Sequence, residues 1–81
     1  LAPLNESETD HYLMHRLHVA GANGSVRFDQ KAVRLICKKS KGIPRLINAV
    51  ADNALLAGYI ARVRDIGVAQ VKRAMAEMEY V

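Results

Sequence analysis

Apolar residues repeat every three or four positions in the first quarter of this chain of 81 residues, a spacing that predicts an amphipathic helix. From Tyr12 onward the repeating residues are Leu13, Met14, Leu17 and Ala20. The pattern is followed by Gly21 and by Asn23-Gly24, which tolerate the positive φ angles found where helices end. We therefore expect the first helix to close near Ala20.

The start of this helix is predicted from polar residues. Because Ala2 precedes Pro3, it is directed away from helical geometry, which favours a short extended lead-in over residues 1–5. The stretch Ser7-Glu8-Thr9-Asp10 has the spacing of a capping box, in which Ser7 and Asp10 would satisfy free amides of the first turn. The helix is expected to begin there.

A second helix is predicted after Asp29, a residue type that commonly caps helix starts. The preceding stretch, residues 25–28, is too short to indicate a strand, and Phe28 is interpreted as an apolar plug of the core. Gly42 is a suitable terminating residue for this helix. Its apolar stripe consists of Val33, Ile36 and Cys37.

The third helix has the clearest pattern and is expected to be the central core helix. Pro44 suits its first turn, because proline lacks an N–H and has a fixed φ. Its broad apolar face contains Leu46, Ile47, Val50, Ala51, Ala54, Leu55 and Gly58. After a polar connection over residues 62–65, a fourth helix would turn inward Val68, Val71, Met75 and Met78.

The chain contains no convincing alternating strand pattern and no internal repeat, so the predicted fold class is all-α, a compact bundle of four helices. A single cysteine excludes an internal disulfide framework and favours a reducing compartment, with the cytoplasm as the default. No apolar run is long enough to span a bilayer, and residues 1–6 do not resemble a signal peptide. Because the chain starts at Leu1 and not at Met, we expect it to be a piece of a longer protein.

Positive charge is concentrated in the middle of the sequence. The net charge is +4, and the stretch between Asp29 and Asp52 has six basic residues and no acidic one. Three of them, at the end of the second helix, have an ordinary explanation, because cations there complement the helix dipole by about 0.3 to 1 kcal/mol each. The six residues are Lys31, Arg34, Lys38, Lys39, Lys41 and Arg45.

Arg45 does not fit that explanation, because it lies in the first turn of the third helix, where the dipole disfavours a cation. A phosphate oxygen bound at the helix start would reverse the sign of this interaction. The alternative is that Arg45 points to solvent or pairs with Asp52. Counting about 100° per residue, Asn48, Asp52 and Tyr59 return to within about 60° of Arg45, forming either an ordinary solvated face or a surface that orients it.

Other candidate chemistry is weaker. The histidines His11, His15 and His18 share a helical stripe with Glu8, but they lie opposite the apolar residues, so solvent exposure is favoured over a metal site. Cys37 falls on the apolar side of its helix, and a small buried residue is favoured over a nucleophile. No metal ligand and no catalytic residue is therefore assigned.

Several segments together resemble the helical lid subdomain of AAA+ ATPases of the general secretion pathway A (ExeA) and MSHA pilus biogenesis (MshM) type. The resemblance covers almost the whole chain, with the best correspondence in the first three helices. The segments that carry it are Leu4, Tyr12-Leu13-Met14-His15-Arg16-Leu17, Ala20-Gly21, Phe28, Ser40-Lys41-Gly42-Ile43-Pro44-Arg45-Leu46-Ile47-Asn48 and Asp52-Asn53-Ala54-Leu55.

The resemblance implies a function for Gly42-Ile43-Pro44-Arg45, which is similar to the sensor 2 motif of these ATPases. Arg45 would then reach from the lid to the terminal phosphates of ATP, held with Mg²⁺ by the large ATPase subdomain. The expected nucleotide-binding residues are Arg45, Pro44 and Gly42, with support from Lys41, Asn48, Asp52 and Arg16.

The same resemblance implies the partners of the longer protein. They are its large ATPase subdomain, further copies of itself in a homo-oligomer, and proteins of secretion or pilus assembly. The implied location is cytoplasmic, with association of the longer protein with the inner membrane compatible with it.

The chain has no phosphate-binding Gly-x-x-x-x-Gly-Lys-Ser/Thr loop and no acidic strand end for Mg²⁺, so it is not expected to hydrolyse ATP by itself. Two alternatives stay open. One is the lid of an origin-recognition or transposition ATPase. The other is a small helical nucleic-acid-binding module that uses the basic cluster, although no clear recognition helix is present. A plain interaction bundle would leave Arg45 unexplained.

Overall fold

The computed structural model describes residues 2–21 and 24–78, and four α-helices dominate it. The all-α prediction is confirmed. The predicted role of Asn23 at the end of the first helix lies outside the described residues. In chain order the elements are α1 (Glu6–Val19), β1 (Arg27–Phe28), α2 (Gln30–Ser40), α3 (Pro44–Ala61), β2 (Asp65–Ile66) and α4 (Val68–Met78).

The cap of α1 differs from the sequence prediction by two residues. Asn5, in extended conformation, accepts a hydrogen bond from the Glu8 amide at 2.8 Å, and the Glu8 carboxylate accepts from the Asn5 amide at 3.0 Å. The capping box predicted at Ser7 and Asp10 is therefore wrong. Asparagine caps as well as serine does, so both spacings were chemically available and the earlier one formed. The predicted end is confirmed, since Ala20 is the C-cap.

The caps of α2 follow the prediction closely. The Asp29 carboxylate accepts from the Ala32 amide at 2.7 Å, as expected of a helix start. At the other end Lys41 is the C-cap in left-handed conformation with φ 55°, and Gly42 follows with φ 72°. Two successive left-handed residues turn the chain sharply toward α3.

The core is formed where α3 packs against α2, α4 and α1, which confirms α3 as the central helix. On its predicted face Leu46 and Leu55 are half-buried, and the other residues are buried. Fully burying one large apolar side chain stabilises the fold by about 1.5 to 3 kcal/mol. The core cluster consists of Leu13, Ala32, Val33, Ile36, Ile47, Val50, Ala51, Ala54, Ile66, Val71 and Ala74.

For several residues at the edge of this core, the burial predicted from the helical periodicity is wrong. Met14 and Ala20 are exposed, although both were expected inside. Conversely, Thr9, Ile66 and Ala74 are buried without having been predicted there. Val71 is buried as expected, and the half-buried Met75 and Met78 pack against the core.

A short pair of parallel strands ties the two long connections together, which no alternating sequence pattern predicted. Arg27 pairs with Asp65 and Phe28 with Ile66. The Arg27 amide donates to the Arg64 carbonyl, and the Asp29 amide donates to the Ile66 carbonyl, both at 3.0 Å. The half-buried Phe28 packs against the core, which confirms its interpretation as an apolar plug.

The amino-terminal segment is fixed against the turn between α2 and α3. The Leu4 amide donates to the Gly42 carbonyl at 2.8 Å, and Leu4 packs on the core. A Cβ at Gly42 would collide with the Leu4 backbone and lie 3.0 Å from the Pro3 Cβ. Glycine is therefore required at this position for two reasons, the positive φ and the close approach. Across the described ranges, no helix is long and apolar enough to cross a membrane.

Replacing Val50 with aspartate should abolish cooperative folding. Val50 is 5% exposed in the middle of the central helix, and an unpaired buried charge costs about 3 to 5 kcal/mol. Thermal unfolding followed by circular dichroism measures the effect. Leu56→Asp is the matched control, because Leu56 lies on the same helix and is 55% exposed, and its unfolding curve should stay close to that of the wild type. Equal melting curves for both variants would contradict this packing.

The Gly42→Ala variant should lose about 2 to 4 kcal/mol of unfolding free energy, because a collision adds to the backbone strain. Gly24→Ala is the control for strain alone, since Gly24 has φ 86° and open space around it, and about 1 kcal/mol is expected there. Denaturant unfolding of both variants measures the difference. Equal losses would show that the Leu4 segment does not dock on Gly42.

Candidate functional site

The start of α3 differs chemically from the starts of α1 and α2, because no side chain caps it. Its N-cap is Ile43, and Pro44 occupies the first turn, as predicted. The amides of Leu46 and Ile47 both donate to the Ile43 carbonyl. The Arg45 amide has no hydrogen-bond partner among the described residues, so the positive end of the helix dipole has one donor available.

The Arg45 side chain is exposed at this helix start. Among residues 2–21 and 24–78 its guanidinium has no ion pair or hydrogen bond. The first turn of α3 also contains no acidic residue. The cation is therefore held at the unfavourable end of a helix dipole without compensation from a neighbouring carboxylate.

Asp52 pairs with Arg16 of α1, so the predicted alternative in which Arg45 pairs with Asp52 is wrong. The Arg16 Nη2 atom lies 3.4 Å from Asp52 Oδ1, and the side chains are 35% and 60% exposed. A pair this exposed is worth about 0.2 to 1 kcal/mol. Its larger effect is on orientation, since it directs the Asp52 carboxylate toward α1 and leaves Arg45 without an anionic partner.

Asn48 lies one turn before Asp52 on α3, and its side chain retains unused hydrogen-bonding capacity. Its Oδ1 atom is buried without a partner within the described part of the chain. The same is true of the Arg16 Nε atom. Arg16 and Asp52 thus pair between α1 and α3, while Asn48 Oδ1 and Arg16 Nε stay unsatisfied among the described residues.

Gly42 and Lys41 shape the approach to this site. The Gly42 amide donates to the Cys37 carbonyl and the Ser40 hydroxyl, both at 3.2 Å, and its carbonyl accepts from Leu4. Both polar backbone groups of Gly42 are therefore used inside the chain. Lys41 is exposed, and the left-handed conformation of its backbone starts the turn that leads to Pro44.

The six basic residues between Asp29 and Asp52, here called the basic cluster, differ in whether an acidic residue lies near them. Arg34 is partly compensated by Glu6 of α1, with its Nε atom 3.5 Å from Glu6 Oε1. Sequence reasoning missed this pair because the two residues are 28 positions apart. Three of the remaining cations, Lys38, Lys39 and Lys41, are exposed around the carboxyl end of α2, as the dipole argument expects.

The three histidines are exposed, as predicted, and the His11 ring interacts through Nδ1 with the Ser7 carbonyl at 2.8 Å. Within the described ranges no group of three potential ligands could hold a metal ion. Cys37 is half-buried, where full burial was expected, and its Sγ atom lies 3.8 Å from the Leu4 carbonyl oxygen.

No protein-family model and no solved structure matches this chain. The chain does match a curated protein, General secretion pathway protein A of Aeromonas hydrophila, to which it is 42% identical over 59 residues. The match covers 73% of this chain but 11% of that protein, so the chain spans a small part of its relative's length. The similarity supports a relationship with general secretion pathway A proteins, at the level of one region of such a protein.

Proposed function

We propose that this chain is the lid subdomain of an ATPase related to General secretion pathway protein A, and that Arg45 contacts the phosphates of ATP. The observation that carries the proposal is an uncapped helix start with an unpaired arginine and a free amide. The similarity to General secretion pathway protein A supports the choice of relative, at the level of one region of that protein. A secretion or pilus-assembly system is accordingly the proposed context.

Three interactions would favour the binding of an anion at the start of α3. The guanidinium offers charge-assisted hydrogen bonds in a planar fork, which suits phosphate oxygens. The free Arg45 amide and the helix dipole both favour negative charge at the same place. In the proposed assembly the large subdomain holds ATP with Mg²⁺, which would neutralise charge developing on the phosphates, and the lid covers the nucleotide.

The residues around Arg45 would act by positioning it. Gly42 permits the turn that is fixed on Leu4, and Pro44 restricts the backbone immediately before Arg45. The pairing of Asp52 with Arg16 keeps the nearest carboxylate on α3 away from Arg45. Lid closure would then report the nucleotide state to neighbouring subunits of a homo-oligomer and to assembly proteins.

The 81-residue chain alone should show no ATP hydrolysis, because its sequence contains no phosphate-binding loop and no acidic strand end of the kind that holds Mg²⁺. Any nucleotide binding should be weak and should disappear as salt is added, since it would rest on exposed charges. Phosphate release and nucleotide titrations at two salt concentrations measure both properties. Turnover by the purified chain would refute the lid proposal.

In the longer ATPase, Arg45→Ala should weaken ATP binding or slow hydrolysis by about 10-fold to 150-fold, since a charged hydrogen bond is worth about 1.5 to 3 kcal/mol. Arg45→Lys should restore only part of this loss, because an ammonium lacks the planar fork. Nucleotide affinity and steady-state turnover are the measurements.

Arg64→Ala is the matched control, because Arg64 is also exposed but follows the opposite end of α3. It should leave ATP binding unchanged. The melting temperature of the Arg45→Ala chain should stay equal or rise slightly, since a cation is removed from the positive end of a dipole. Intact nucleotide binding and hydrolysis in Arg45→Ala would contradict the proposal, as would a loss confined to DNA binding.

A further inference from the structure

The carboxyl-terminal half of α3 and the residues just after it expose an unusual amount of apolar surface. Leu55 and Gly58 face the core, but a second stripe of apolar side chains points outward along the helix and continues just past its end. A helix that is apolar all round is normally covered on all sides. The exposed stripe consists of Leu56 (55% exposed), Tyr59 (81%), Ile60 (63%) and Val63 (37%).

A groove of about 450 Å³ lies beside this stripe. It opens between the end of α1, the residue before β1, the end of α3 and the connection that leads into β2. Its volume falls within the range of about 300 to 1,000 Å³ that is typical of binding pockets. We call it the α3 groove; its apolar lining includes Leu17, Val26, Leu55, Tyr59, Val63 and Ile66.

Two arginines give the α3 groove a positive rim. Arg62 and Arg64 line it, and both are exposed. The side chains of Arg62 and Arg64 make no ion pair within residues 2–21 and 24–78, because the neighbouring carboxylate of Asp65 is bound by Arg27 at 3.0 Å. The left-handed C-cap conformation of Arg62, with φ 59°, holds its backbone against the end of α3. The rim therefore carries positive charge with no local compensation.

We propose that the α3 groove binds an acidic segment of a partner protein, which inserts a large apolar side chain into the groove. Carboxylates of the segment would pair with Arg62 and Arg64, and its apolar residue would cover Tyr59, Val63 and the floor beneath them. A nucleic acid would satisfy the arginines but would leave the aliphatic lining unused. The combination of apolar lining and unpaired cations thus favours a protein segment.

This surface is separate from the proposed nucleotide site. Arg45 and Arg62 are 17 residues apart on and immediately after one helix, which corresponds to about 25 Å along its axis. Binding at the α3 groove is therefore expected to be independent of Arg45. Failure of one proposal would leave the other standing.

The test uses the 81-residue chain and fluorescence anisotropy with a short synthetic peptide of Glu and Asp residues that contains two Leu and one Phe. We expect saturable binding that weakens with salt. Arg62→Glu combined with Arg64→Glu should weaken binding by at least about tenfold, because attraction becomes repulsion. Tyr59→Ser should weaken it by about fivefold to tenfold through loss of the apolar contact.

Leu56→Ser is the matched control for the apolar change, because Leu56 lies on the same helix but does not line the groove. Neither it nor Arg45→Ala should alter binding. All these residues are exposed, so circular dichroism should show unchanged folding. The proposal is overturned if the acidic peptide does not bind, if versions with Lys for the acids or Ser for the apolar residues bind equally well, or if single-stranded DNA binds more tightly through the same arginines.

Discussion

Burial of one face of α3 is the interaction on which the rest of this small structure depends. Three of its five buried residues are Ala51, Ala54 and Gly58, and such small residues allow neighbouring elements to approach the helix closely. The contact is closest at Gly58, where a Cβ would collide with the Ile66 side chain. A small domain buries only about 60% of its unfolded surface, so damage to this face removes a large share of the burial that stabilises the fold.

Backbone hydrogen bonds between the connecting segments fix how the helices pack. The pair of short strands joins the chain before α2 to the chain before α4, and the Leu4 hydrogen bond joins the amino-terminal segment to the turn before α3. Both ends of α3 are consequently held in place by neighbouring backbone. At the same time each end has an arginine without an ion pair in the described part of the chain, Arg45 at the start and Arg62 at the finish. The helix therefore presents two cationic surfaces.

The partners of the charged residues could not be obtained from local sequence rules. Asp52 lies at a helical spacing that would serve Arg45, yet it pairs with Arg16, 36 positions away. Glu6 likewise contacts Arg34 and Gln30 of α2. Local spacing describes neighbours on one helix, whereas these pairs depend on how α1 crosses the other helices. Arg45 itself could be selected from sequence, because its conflict with the dipole needs only a helix start.

The sequence by itself determined four helices, the cap at Asp29, the place of Pro44 in the first turn of α3, the inner face of α3 and the unusual position of Arg45, because each depends on contacts within a few residues. The first cap, Asn5 with Glu8, is also local, but local rules offered two spacings and did not choose between them. Only the tertiary structure decided the burial of Ile66 and the strand pair. It also decided the pairing of Asp52 with Arg16 and the α3 groove. These features arise where segments distant in sequence meet, and their energies depend on a geometry that no local pattern encodes.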